Sequence, residues 1–278
     1  MIKVLVVLFL FTTSTLACAE DFLIDHVRVF DGERTIDRTS VLVRNGKIEA
    51  IGLHLRPPKR TRVIDGSGRT LLPGLIDAHT HIRARQDLEQ SLVFGVTTDL
   101  SMLMDLSLAD AEKAEQRDSK ASDRADLFSS SYCATAPGGH GTEYGLKFPT
   151  LTGPKEAQVW VDDRIAEGSD YIKIIYENGG DTGHGGRPSI DKATLQALIA
   201  AGHARGKLAI VHIHSEQQAM DAIESGADGL AHLFSHGGDR ADPKFAPLAA
   251  AHHAYNGHLL RTQKGDSGYI HFDAQVIT

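Results

Sequence analysis

Leu72-Pro73-Gly74-Leu75-Ile76-Asp77-Ala78-His79-Thr80-His81 is the stretch on which the fold of this chain turns. Leu71 to Ala78 is an apolar run that suits a buried strand, and His79-Thr80-His81 closes it. Alternate residues of a strand point to one side, so His79 and His81 project together at its carboxyl end. Many His-x-His pairs simply decorate surface loops. One placed directly at the end of a buried strand is a far more specific signal.

Upstream, residues 20–70 read as a small β module. Phe22 to Phe30 alternates apolar and polar residues, Val41-Leu42-Val43 and Ile48 to Ile51 flank Asn45-Gly46, and Arg62 to Asp65 adds a further strand. Asn-Gly between two such runs signals a tight hairpin, because both residues tolerate positive φ. Downstream, from residue 71, the pattern changes to strands separated by helices. Strands are expected at Val96 to Leu100, Asp126 to Ala134, Tyr171 to Tyr176, Leu208 to His212 and Gly229 to Phe234. Helices are expected at Asp87 to Phe94, Leu108 to Arg117, Pro154 to Glu167, Asp191 to Arg205 and Gln217 to Ser225.

This alternation, with nearly continuous apolar strands, predicts an α/β fold with a parallel sheet under helices. Six such strands beside a β module fit a (β/α)8 TIM-type barrel, whose active site lies at the carboxyl ends of its strands. An open doubly wound sheet is the alternative. No Gly-x-Gly-x-x-Gly follows the first strand, which weakens a dinucleotide-binding reading.

Asp65-Gly66-Ser67-Gly68 followed by residues 72–81 resembles the opening of the amidohydrolase superfamily barrel, and Asn45-Gly46-Lys47-Ile48 resembles the strands of that family's N-terminal β-sandwich. The resemblance runs over roughly residues 22–254 and is strongest to the imidazolonepropionase-like and prolidase-like branch. It implies a hydrolase cleaving carbon–nitrogen bonds in amides, dipeptides or cyclic amides. Metal ligands are implied at His79, His81, Lys173, His212 and His232, holding a divalent metal, two zinc ions by preference. Lys173, on the expected fourth strand, would be carboxylated and bridge the pair. That would remove the cost of burying an ammonium among Ile172, Ile174 and Ile175; a lysine snorkelling to solvent is the other reading.

His214 shares a strand face with His212 and is expected beside the ligands or in the substrate pocket. His140, in Ala136-Pro137-Gly138-Gly139-His140-Gly141, would contact substrate or stand in a solvent loop, and Tyr176 is a further pocket candidate. Asn178-Gly179-Gly180 and Gly183-His184-Gly185-Gly186 would suit a lid.

Composition agrees with a globular enzyme. The 278 residues are 41% hydrophobic and 23% charged, and the formal charge of −7 argues against a nucleic-acid partner. Fifteen histidines are consistent with metal or proton chemistry. Lys3, the apolar run Val4 to Phe11 and Ala17-Cys18-Ala19 read as an export signal over residues 1–19, too short to span a bilayer. The expected destination is the periplasm or the medium, with a lipid anchor on Cys18 as the lesser alternative. Cleavage there leaves Cys133 alone, so no internal disulfide is expected, and a buried structural thiol is its expected role.

The family's eighth strand ends in a catalytic aspartate, and no residue here answers to it. After Ala254 the resemblance stops, and residues 255–278 carry no expected barrel strand. The chain from residue 71 onward is also shorter than the roughly 250 residues of a typical barrel. A truncated or frameshifted gene is the expectation, with the barrel part confined to residues 71–254. A metal-binding pseudoenzyme is therefore the second functional reading, and an exported solute-binding protein the third. Oligomeric state is not legible.

Overall fold

The computed structural model describes residues 21–118, 122–177, 186–232, 234 and 242–252, together with the backbone of three short strands beyond. The segment read as an export signal, most of the glycine-rich stretch after Glu177, and most of residues 253–278 lie outside the described residues. The chain divides into two compact units, Met1–Pro73 and Gly74–Thr278.

In the first unit, β1 (Phe22–Phe30) pairs antiparallel with β2 (Thr35–Arg44), and β2 with β3 (Lys47–Gly52). On its other side β1 takes β4 (Arg62–Asp65) and β5 (Thr70–Leu71) in parallel. Asn45 and Gly46 turn the β2–β3 hairpin with φ of 50° and 73°, the positive values that this residue pair was chosen to supply. Val27, Val29 and Val41 are buried on this sheet. The described residues form one five-stranded sheet; a second facing sheet, which a sandwich requires, is not among them.

The second unit alternates strand and helix. Its elements are β6 (Leu75–Thr80), α1 (Arg85–Val93), β7 (Val96–Ser101), α2 (Leu106–Arg117), β8 (Asp126–Ser129), β9 (Cys133–Ala134), α3 (Ala157–Ala166), β10 (Ile172–Ile175), α4 (Lys192–His203), β11 (Ala209–His212), α5 (Glu216–Glu224), β12 (Gly229–Leu230), α6 (Phe245–Ala251) and β13 (Tyr255–Asn256). The strands pair in parallel in chain order, β6-β7-β8 and then β9-β10-β11-β12-β13. Chain order without a reversal is the pattern of a barrel wall; a doubly wound sheet reverses at a switch point. The fold is thus a partial TIM-type arrangement, and no closed barrel appears among the described residues.

Two features depart from expectation. The third strand, expected to run unbroken from Asp126 to Ala134, is split into β8 and β9. Ser131 sits between them in the left-handed region at φ 58°, and its N–H donates to the Ser129 hydroxyl at 2.8 Å. Residues 255–278, expected to hold no barrel strand, provide β13, which lies parallel to β12 with Tyr255 opposite Gly229. A two-residue strand is too short to leave a readable period.

Capping explains where the helices begin. Asp105 accepts from the N–H groups of Ser107 and Leu108, so α2 starts two residues before the apolar pattern suggests. Asp191 accepts from Thr194 N–H at 2.7 Å, and Ser215 and Gln218 form a capping box on α5. On α4, Leu195, Leu198 and Ile199 recur at helical spacing and are fully buried. Each contributes about 1.5–3 kcal/mol relative to exposure. They pack with Ile172 and Ile174 of β10 in the main core. No described helix is long and apolar enough to cross a membrane.

Candidate metal centre

The four residues of β10 are all buried, but they divide between two environments. Ile172 and Ile174 join the core under the helices. Lys173 and Ile175 line a cavity of about 310 Å³ on the other face. Tyr176, three residues beyond Lys173, falls on the helix side by the same alternation. It packs in the core, and its hydroxyl donates to Asp221 at 3.1 Å. The expectation that Tyr176 would line the pocket is therefore corrected; an odd offset from Lys173 points it away.

His79 and His81 do lie together, with ring centroids 5.4 Å apart, and both line the cavity. Each is held through Nδ1 by a backbone carbonyl, His79 by Ala231 at 2.7 Å and His81 by Leu103 at 3.4 Å. A carbonyl only accepts, so the proton sits on Nδ1 and the lone pair on Nε2. This is the tautomer and orientation by which a metal-binding imidazole is usually fixed. Burial, and then the nearby Lys173 amine, push both rings below the ordinary histidine range, His79 the further of the two. Neutral rings are what ligation requires.

His232 stands between His79 and His212, with centroids 4.6 Å and 4.4 Å away. His212, at the end of β11, lies 4.8 Å from His140, whose loop follows β9. His214 lines the same cavity as these five imidazoles. All the expected ligands and two of the three expected substrate contacts thus converge on one space. His140 is 7% exposed, so the loop places it inside rather than in solvent.

Lys173 is 3% exposed, and its Nζ has no hydrogen-bond partner among the described residues. Burial lowers its pKa to about 7. Cys133 stands opposite Lys173 in the β9–β10 register and also lines the cavity, and burial raises its thiol to about 12. An orphaned, partly neutral amine among neutral imidazoles fits a divalent cation of the zinc class.

Two residues escaped the sequence reading. Glu177, 2% exposed, contacts His212 Nε2 through Oε1. Its signal was present, because Glu177 is an even offset from Lys173 and shares its strand face. Glu143 accepts from His140 Nδ1 at 2.9 Å, and the Arg187 guanidinium approaches the same oxygen at 3.5 Å. Ligand atoms of His140, Glu177 and His212 lie within 4.8 Å of one another.

Compared with known families, the chain matches no family profile. It is 41% identical over 64 residues to a dihydroorotase of Geobacter metallireducens, covering 23% of this chain and 15% of that enzyme. It is 32% identical over 77 residues to an L-hydantoinase of Paenarthrobacter aurescens, covering 24% and 17%. Among solved structures it is similar to a Xaa-Pro dipeptidase with methionine in its active site, with a TM-score of 0.71, 21% identity, and coverage of 85% of this chain and 66% of that one. The sequence matches therefore span well under a quarter of the relatives' length, and the structural match about two thirds of the neighbour's.

Proposed function

We propose that this chain is a member of the amidohydrolase superfamily and a metal-dependent hydrolase of carbon–nitrogen bonds acting on a small amide, a dipeptide or a cyclic amide. The observation that carries this reading is the convergence of six imidazoles on one cavity with a buried lysine whose Nζ has no hydrogen-bond partner among the described residues. The names of the relatives, a dihydroorotase and an L-hydantoinase, and of one structural neighbour, a Xaa-Pro dipeptidase, support this reading.

His79, His81, Lys173, His212 and His232 would hold two divalent cations, zinc being well suited to these donors. Bound there, the cations would supply Lewis acidity toward the carbonyl and a lowered pKa for the attacking water. Lys173 prepares its own part. With a pKa near 7, much of its amine is neutral at physiological pH. Its lone pair would add to carbon dioxide, forming a nitrogen–carbon bond and releasing one proton, and a carbamate anion would replace a costly buried ammonium. His79 and His81 keep their Nε2 lone pairs aimed by their Nδ1 anchors. His140 and His214 would position the substrate's polar groups, while Met102, Leu103 and Ile175 restrict water. We place the enzyme outside the cytoplasm on the strength of Lys3, Val4 to Phe11 and Ala17-Cys18-Ala19.

Elemental analysis of purified protein tests the centre. The double substitution of His79 and His81 by Ala is expected to strip bound zinc and abolish turnover on a panel of dipeptides, hydantoins and dihydropyrimidines. Full metal retention in that variant overturns the assignment.

A further inference from the structure

Beside the metal cavity lies a second cavity of about 530 Å³. Its apolar lining comes from Ile82 after β6, Leu103 and Met104 after β7, Leu108 on α2, and Leu146 in the loop after β9. His81, Leu103 and Tyr144 line both cavities, so the two spaces adjoin. We propose that the second cavity is a substrate subsite that takes a bulky apolar group next to the scissile amide, a side chain of the leucine or phenylalanine kind. This deepens the hydrolase reading and rests on it. The residues that grip the group, Ile82, Met104, Leu108 and Leu146, lie outside the ligand set of that reading.

The chemistry of the lining points to an apolar occupant. Its buried part is apolar, with Ile82, Leu103 and Met104 only 4%, 6% and 1% exposed. Its charged residues, Arg83 and Asp105, are exposed and opposite in sign. Asp105 is already engaged, because it accepts from the N–H groups of Ser107 and Leu108 at the start of α2. The described lining therefore sets an apolar floor beneath a rim whose two charges cancel. Ligand sites are commonly of this build, mostly apolar with a few polar groups, in cavities of about 300–1,000 Å³.

Packing points the same way. Ile82, Met104 and Leu108 belong to one hydrophobic cluster, while Leu103 and Leu146 belong to another with Cys133 and Ile175. An apolar group seated between the two clusters buries surface against both. Tyr144 stands where the cavities meet, its ring edge-on to His140 at 5.6 Å. It is carried there by a short 3-10 turn, Thr142–Tyr144, bracketed by Gly141 and Gly145 at φ 97° and 84°, values that favour glycine. The ring is 52% exposed, which leaves apolar surface for an occupant to cover. Met104 supplies adaptability. Its N–H is fixed on the Ser131 carbonyl at 2.9 Å, at the break between β8 and β9, but its unbranched thioether can conform to either a branched or an aromatic group.

Binding of N-acetyl-L-phenylalaninamide and of N-acetylglycinamide to the full chain, treated with a chelator and followed by saturation-transfer NMR, tests the subsite. The phenylalanine compound is expected to bind about ten-fold tighter or better, the scale on which apolar pockets discriminate. Leu146→Glu places a charge in the floor and is expected to abolish that preference. Leu108→Ala only shortens a partly buried side chain and is expected to diminish it, and it carries the test should the charged variant fail to fold. Circular dichroism and thermal melting report folding. Equal binding of the two amides, binding of neither, or a preference that survives in the folded variants overturns the subsite. The amides need neither metal nor turnover, so the two readings fail separately. A preference lost in the variants of a protein that holds no zinc would overturn the metal reading and leave the subsite standing. Bound zinc and cleavage without any preference would do the reverse.

Discussion

In the sheet of residues 22–71, arginines lie at the surface beside the acids they pair with: Arg28 meets Asp37 at 2.8 Å and Arg34 meets Asp31 at 3.3 Å, with every partner at least one-third exposed. In the unit from Gly74 onward, Arg124 is 2% exposed as a side chain and reaches Glu112, Glu115 and Asp123 at once, while Arg85 bonds the same two glutamates from outside. The contrast extends to unmet polar groups. Every buried side-chain nitrogen or oxygen without a partner among the described residues belongs to residues 80–173 of the second unit. Unsatisfied buried groups are rare, and where a protein tolerates them there is usually a functional reason. Among the described residues, the first unit meets its buried polar groups internally, and the second concentrates the unmet ones.

The largest effect that would test this contrast is Arg124→Ala. Removing one partner of a buried ion pair leaves charge uncompensated, so a loss of about 3–5 kcal/mol is expected in urea unfolding. A loss below 1 kcal/mol would mean that the network is no more than a solvated surface cluster.

Next come two pH slopes of opposite sign in the metal-free protein. The Lys173 amine, at about 7 when folded, keeps its proton to about 10.4 when unfolded. Between those values the unfolded chain holds more protons, so stability should rise with pH, by up to ~4 kcal/mol. Lys173→Met should abolish that slope. Asp99, buried on β7 beside Asp77 in the ladder, is raised to about 6, chiefly by burial. There the folded chain holds the extra proton, so stability should fall by ~2–3 kcal/mol as pH rises from about 4 to 6. Asp99→Asn should flatten it. Unfolding curves across pH that leave either variant parallel to wild type would refute the corresponding claim.

The smallest effect belongs to the first unit. Arg28→Ala breaks an exposed pair and is expected to cost under 1 kcal/mol, diminishing further in salt. A larger loss by thermal melting would erase the distinction between the units.

Much of this was legible in the residues. The β6 strand with His79 and His81 could be read because an apolar run ends there on two histidines at a spacing of two, although Leu75 and Asp77 turned out exposed and only Ala78 buried. Lys173 could be read from its apolar neighbours. Tyr176 was misplaced because proximity in sequence was weighed above strand parity, and the same parity points to Glu177. Ser131 gave no warning of its left-handed backbone, as glycine or asparagine would have. Glu143 and Arg187 act on His140 from separate segments, and contacts of that kind leave no periodic trace in one sequence.

The Nδ1 anchors of His79, His81 and His140 have a consequence for selectivity. A side chain that must be ordered on binding loses about 0.5–1.5 kcal/mol of torsional freedom; these three rings are already immobilised when the chain folds. The site is therefore stiff as well as ready. As a metal site it would be ill suited to calcium, which takes six to eight oxygens at about 2.3–2.6 Å. On the proposed reading, a rigid nest of nitrogens would reject the abundant hard ion without needing any group whose task is to repel it.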